Sequence, residues 1–176
     1  MRLKQEQFVP FMISIGVITM LVIVYSSFHF NSKQHERFRE NLVQSDSLTT
    51  TYMRLIGEPD SLCISDLKGK KSVLVFWASW SEKSELMMGE IEKVQLESES
   101  LQVVAALVKD AEESLPEDQI YPAFLYTDGT RLFNDLKVPG YPSYIVFDEE
   151  SEVIHSQVGY QKGVGYDSLK VYLNEK

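Results

Sequence analysis

Residues 72–84 read SVLVFWASWSEKS, a run that prescribes a strand, a tight turn and a helix start in succession. Val73 to Trp77 is short, β-branched and aromatic, as a strand buried on both faces of a sheet must be. Ala78-Ser79-Trp80 leaves too little chain for anything but a turn. Ser81 is placed to cap a helix, and Glu82 and Glu85 sit where the positive end of a helix dipole favours carboxylates. Leu86/Met87, Ile91 and Val94 then recur at helical spacing. A strand that turns directly into a helix aims its first backbone N–H groups at residues 81–84.

The F-W-A-x-W run followed by a four-residue site at a helix start resembles the thioredoxin superfamily, most closely its membrane-anchored TlpA-like thiol-disulfide oxidoreductases. The resemblance implies a three-layer α/β fold, a mixed central sheet flanked by helices. It also implies Cys-x-x-Cys at the site, where this chain has Ser81-Glu82-Lys83-Ser84. Disulfide exchange needs an acidic thiolate and a second thiol to resolve the mixed disulfide, and two hydroxyls supply neither. No histidine lies nearby to activate a serine. Val75 stands where thioredoxins place a buried carboxylate, and with no thiol to titrate an apolar side chain packs there without a desolvation cost.

Working toward the N-terminus, Asp66-Leu67-Lys68-Gly69-Lys70 reads as a loop, Ser61–Ser65 as a short strand and Gly57-Glu58-Pro59 as a turn. This entry is similar to the segment before the site in TlpA-like proteins. Cys63, the only cysteine, is expected in that strand as a small buried hydrophobe, the alternative being a lone reactive thiol. Residues 31–55 are polar with scattered apolar positions, Phe38, Leu42, Val43, Leu48, Met53 and Leu55 among them. They are expected to form a juxtamembrane linker, a short helix and then a Ser/Thr-rich link from Ser45 to Thr51, that holds a domain of residues 56–176 off the bilayer, dimerisation through the stalk being the alternative. Residues 8–30 contain no Asp, Glu, Lys or Arg, and about 20 such residues cross a ~30 Å hydrocarbon core as a helix. A cleaved signal peptide would have a shorter apolar region ending in small residues, and Ser26-Ser27-Phe28 is a poor site. Residues 1–7 are left as a short tail. Arg2 and Lys4 before the span and Lys33, Arg37 and Arg39 after it do not decide orientation. The resemblance places the tail in the cytoplasm and the domain on the periplasmic side of a Gram-negative inner membrane.

Working toward the C-terminus, Leu101–Val108 reads as a central parallel strand, Ala123–Tyr126 as a brief strand and Arg131–Leu136 as a short helix. Between them Glu112, Glu113, Glu117 and Asp118 read as a solvated surface. Val138-Pro139-Gly140-Tyr141-Pro142-Ser143 precedes the strand Tyr144–Asp148. The resemblance makes Pro142 the family's cis-proline and Tyr141 the residue whose backbone meets an extended peptide. Asp148–Glu152 reads as a hairpin turn, Val153–Gly159 as an antiparallel strand and Tyr166–Leu173 as a closing amphipathic helix.

The chain of 176 residues is 44% hydrophobic, enough for one packed domain and an appendage. Its net charge of −9 and lack of a basic stripe oppose nucleic-acid binding. His29, His35 and His155 form no cluster, His155 reading as a surface residue, so neither a metal nor another cofactor is expected. The reading is therefore a redox-inactive, membrane-tethered thioredoxin-like module that binds an envelope protein or peptide segment. Its groove would be formed by Trp80, Ser81, Glu82, Lys83, Ser84, Tyr141 and Pro142. The alternative is an altered oxidoreductase using Cys63 or a partner's thiol. Anion binding by Ser81, Lys83 and Ser84 is opposed by the adjacent glutamates.

Overall fold

A computed structural model describes residues 5–98, 100–110, 115, 121–162, 167 and 169–172, without the side chains of residues 5–7 and 31. The chain begins with one unbroken helix, α1 (Gln5–Gln44), followed by a one-turn helix, α2 (Ser47–Thr50). Two short strands, β1 (Met53–Arg54) and β2 (Ser61–Leu62), pair antiparallel, and a 3-10 turn at Ile64–Leu67 leads into β3 (Ser72–Trp77). Then come α3 (Glu82–Glu97), β4 (Gln102–Leu107), β5 (Phe124–Asp128), α4 (Thr130–Asp135), β6 (Ser143–Phe147) and β7 (Val153–Val158). Asp167 and residues 169–172 are helical.

The five-stranded sheet has the order β5-β4-β3-β6-β7. β3, β4 and β5 run parallel, while β6 is antiparallel to β3 and β7 to β6. The expected central strand is thus the middle of the sheet, and every one of its six residues is buried. Because side chains alternate across a sheet, that run divides between two cores. Leu74 and Phe76 pack with Val104, Ala106, Ile145 and Phe147 on one face, against Phe38 and Leu42 of α1 and Leu132 and Phe133 of α4. Val73, Val75 and Trp77 pack on the other, against Met87, Met88, Ile91 and Val94 of α3 and Leu169 near the C-terminus. Helices on both faces of a mixed sheet make the expected three-layer thioredoxin-like fold.

The expected linker is corrected by this packing. Phe38, Leu42, Leu48 and Met53 are only 2%, 7%, 5% and 1% exposed, so residues 38–53 belong to the packed unit, which begins well before Ile56. Asn41 Nδ2 donates to the Leu136 carbonyl at 3.1 Å, fixing α1 to the end of α4. Of the apolar positions read as scattered, Phe38 and Leu42 are an i, i+4 pair on the face of α1 that covers the sheet, while Leu48 packs from α2 and Met53 from β1. The rest of α1 is different: from Phe8 to Phe30 the side chains are exposed, and this part is long and apolar enough to cross a membrane.

Cys63 is buried as expected but not in a strand. Its strand ends at Leu62, and Cys63 caps the 3-10 turn instead, because its N–H donates to the Asp66 carboxylate at 2.8 Å. It is fully buried, with Sγ 3.6 Å from the Leu48 carbonyl oxygen. Glu112, Glu113, Glu117 and Asp118, read as a solvated surface, lie outside the described residues.

Candidate functional site

Parallel β3 and β4 end together, Trp77 opposite Leu107, and the site is built on that edge. Trp77 O accepts from Val108 N at 2.9 Å, and the chain then turns through Ala78, Ser79 and Trp80. The turn is pinned by Asp110, whose carboxylate accepts from Ser79 N at 2.8 Å and from Ser79 Oγ at 2.5 Å. In the sequence Asp110 is not distinguished as a site residue, since it lies in an acidic stretch. The available signal was its place just past the apolar β4 strand, which a parallel register brings level with the turn.

Ser81 caps α3 as expected: its backbone is extended and its Oγ accepts from Ser84 N at 3.3 Å. The two serines have different surroundings. Ser81 is half-buried, whereas Ser84 is fully buried and its Oγ accepts from Ala78 N at 3.3 Å. Glu82 and Lys83 between them are exposed. Both hydroxyls therefore serve the backbone of the turn, and among the described residues neither is hydrogen-bonded to a base. Val75, at the position of the family's carboxylate, is fully buried among apolar side chains.

The second half of the site comes from the loop before β6. The Tyr141–Pro142 bond is cis, and the Pro142 carbonyl accepts from Gly159 N at 2.8 Å, which ties the loop to the end of β7. Tyr141 presents its ring to Trp80, edge to face, with centroids 5.5 Å apart and planes at 88°. Beneath it lies Phe133 at 6.2 Å, which itself meets Phe76 of β3 at 5.5 Å. An aromatic ladder thus climbs from the core to Trp80, which is 64% exposed. Among the described residues the Tyr141 backbone makes no hydrogen bond. The Trp80–Tyr141 contact thus sets the cis-proline loop beside the turn that leads into Ser81 and the start of α3.

Cys63 is not part of this assembly. The hairpin turn after β6 holds its neighbourhood, with Gly69 N donating to Glu149 O at 2.7 Å and Ser151 Oγ to Ile64 O at 3.3 Å. That turn lies at the start of β3, since Ser72 pairs with Phe147, whereas the site lies at its end. Six residues of strand separate the two ends by roughly 20 Å.

His155, read as a surface residue, is half-buried: its ring stacks on Tyr172 at 4.0 Å and lies 5.8 Å from Tyr144. Nε2 is buried without a partner among the described residues. Burial, and secondarily the charge of Arg39, push its pKa below the usual histidine value. A folded-state pKa below the unfolded one means that protonation favours unfolding. Stability is then complete above about pH 6.5, the unfolded value, and declines as pH falls from there toward the folded value. Thermal melts between about pH 7.5 and 5 should show a His155→Phe variant losing less stability than the natural chain; parallel losses would exclude this residue as a cause.

The redoxin family profile matches residues 44–170. A thioredoxin-like protein from Bacillus subtilis, YneN, is 29% identical over 156 residues, covering 82% of this chain and 88% of its own. The crystal structure of a putative thiol:disulfide interchange protein DsbE from Chlorobium tepidum aligns with a TM-score of 0.59 at 22% identity, covering 71% of this chain and 93% of that one. StoA from Bacillus subtilis aligns with a TM-score of 0.54 at 20% identity, over 70% of this chain and 96% of its own. With a thioredoxin-like sheet, a cis-proline loop and a family match across most of its length, this chain belongs to the redoxin family.

Proposed function

We propose that this protein is a membrane-tethered, redox-inactive thioredoxin-like module that holds an extended segment of an envelope protein. The observation that carries the reading is the pairing of exposed Trp80 with Tyr141, whose backbone is left unclaimed, beside a site with no sulfur. An extended peptide binds a strand-like edge through main-chain hydrogen bonds, and flanking aromatic side chains supply contact area. The serines support the reading too, because each is committed to the backbone of the turn. Burial of Cys63 at the far end of β3 weighs against a lone-thiol oxidoreductase. We place the apolar part of α1 across the inner membrane, with the domain on its extracytoplasmic side, where unfolded or assembling envelope proteins are the available partners.

The test uses a permanently unfolded chain, carboxymethylated α-lactalbumin, and a fragment of the protein starting at Ser32. Tyr141→Ala and Trp80→Ala should each weaken binding by about tenfold or more, as truncation of an aromatic anchor does. Thermal stability should change little for Trp80→Ala, since that ring is mostly exposed. Unchanged binding in both variants would refute the groove.

A further inference from the structure

The direction of α1 relative to the sheet decides which end of the domain faces the bilayer. Gln34 and Arg37 of α1 line a cleft of about 300 Å³ with Lys137, Val138 and Pro139, in the loop that leads to Tyr141 and Pro142. Farther along, Phe38 and Leu42 cross the sheet face, and by Leu48 the chain has reached Cys63, at the start of β3. The helix therefore enters the domain at the end of β3 that carries the site and leaves at the other. At 1.5 Å per residue, Arg37 lies only about 10 Å along the helix from Phe30, the last residue of the apolar stretch. Nothing between them is a hinge: α1 is continuous from Gln5 to Gln44 and is locked to the domain by Phe38, Leu42 and the Asn41–Leu136 hydrogen bond.

From this we infer that the groove of Trp80, Tyr141 and Pro142 faces the bilayer and takes the juxtamembrane segment of a second membrane-spanning protein. The inference rests on the peptide-binding reading above and narrows its partner class. A rigid helix holds the groove at a fixed, short height above the headgroups. An extended chain advances about 3.3 Å per residue, so a segment leaving the same bilayer reaches that height within roughly five residues. A soluble chain has to enter the gap between domain and headgroups, whereas a segment emerging from the bilayer already occupies it. Confinement to the membrane also replaces a three-dimensional search by a high effective concentration.

The full chain carrying Ser81→Cys is reconstituted in liposomes with a single-span peptide. The peptide's extended Ser/Thr/Val tail bears one cysteine as a thionitrobenzoate disulfide, at about 5 or about 30 residues beyond its apolar helix. The thiolate at position 81 attacks the peptide sulfur, one disulfide breaks, one forms, and coloured thionitrobenzoate leaves. The natural chain, with Cys63 buried, gives the background. The near cysteine should react roughly tenfold faster than the far one, the −3/2 power dependence on tail length for a sixfold difference giving about that ratio. Tyr141→Ala should lower both rates toward background, and a ten-residue Gly/Ser insertion after Ser32 should flatten the preference. Equal rates at both distances that still depend on Tyr141 would overturn the membrane-facing inference and leave peptide binding standing. Rates indifferent to Tyr141 would overturn both. Background rates everywhere, with Trp80 quenched by brominated lipid, would mean that the bilayer itself covers the groove, and the inference falls.

Discussion

Insulin reduction driven by dithiothreitol should stay at the uncatalysed background with the natural fragment from Ser32 onward, and should rise by roughly two orders of magnitude when Ser81→Cys and Ser84→Cys are introduced together. The geometry of the serines gives the reason. Position 81 is half-buried at the N-cap of α3, where the helix dipole and free N–H groups lower a thiol's pKa, so a sulfur there is the attacking group. Position 84 is fully buried and one helical turn away, so a sulfur there is shielded from solvent and placed to resolve the mixed disulfide. The single Ser81→Cys variant should form mixed disulfides without turnover. Activity in the natural fragment would mean that Cys63 reacts despite its burial, and labelling by a thiol reagent before and after unfolding would show it directly. A silent double variant would place the loss of function in the groove as well as in the sulfurs.

Phe38→Ala should cost about 3–5 kcal/mol, the usual range for removing a buried phenylalanine, although residue 38 lies in a segment whose composition reads as a spacer. Its ring is 2% exposed and shares a core with Leu74, Phe76, Ile145 and Phe133. The measurement is chemical denaturation of the fragment from Ser32, with Val43→Ala on the same helix as the control. Val43 is 86% exposed, and its truncation should stay within about 0.5 kcal/mol. Equal, small effects would return α1 to the role of a tether. A fragment trimmed to Ile56 should fail to fold, since it lacks Phe38, Leu42, Leu48 and Met53 together.

The elements legible in the sequence are those whose signal is local. β3 shows as a continuous apolar run because both its faces are buried, α3 as a cap followed by 3.6-residue spacing, and the β6–β7 hairpin as an apolar run that ends in the acidic turn Asp148–Glu152. The loop at Pro142 was legible through family resemblance, not through spacing. What escaped depends on distant partners. Phe38 and Leu42 sit one turn apart among charged residues, and only the sheet face beneath them distinguishes a packed helix from a stalk. Cys63 has β-forming neighbours, but the carboxylate of Asp66 takes its N–H and starts a turn. His155 looks solvated until Tyr172, 17 residues later, closes over its ring. Asp110 belongs to the site only because β3 and β4 end in register.

The two serine hydroxyls have one more consequence, for the direction in which such a chain can change. Oxygen is a far better acceptor than sulfur, and a good N-cap is worth about 1 kcal/mol. The Ala78 N–H, met by the Ser84 hydroxyl, and the Ser84 N–H, which the Ser81 hydroxyl shares with the Ser81 carbonyl, would each have a poorer side-chain acceptor over a pair of cysteines. Loss of the thiols thus improves the hydrogen bonding of the turn, and regaining them gives that up before any reactivity returns. Stability and chemistry trade against each other at this helix start. A chain with serine at both positions is thus favoured by its own backbone over the same chain with two thiols.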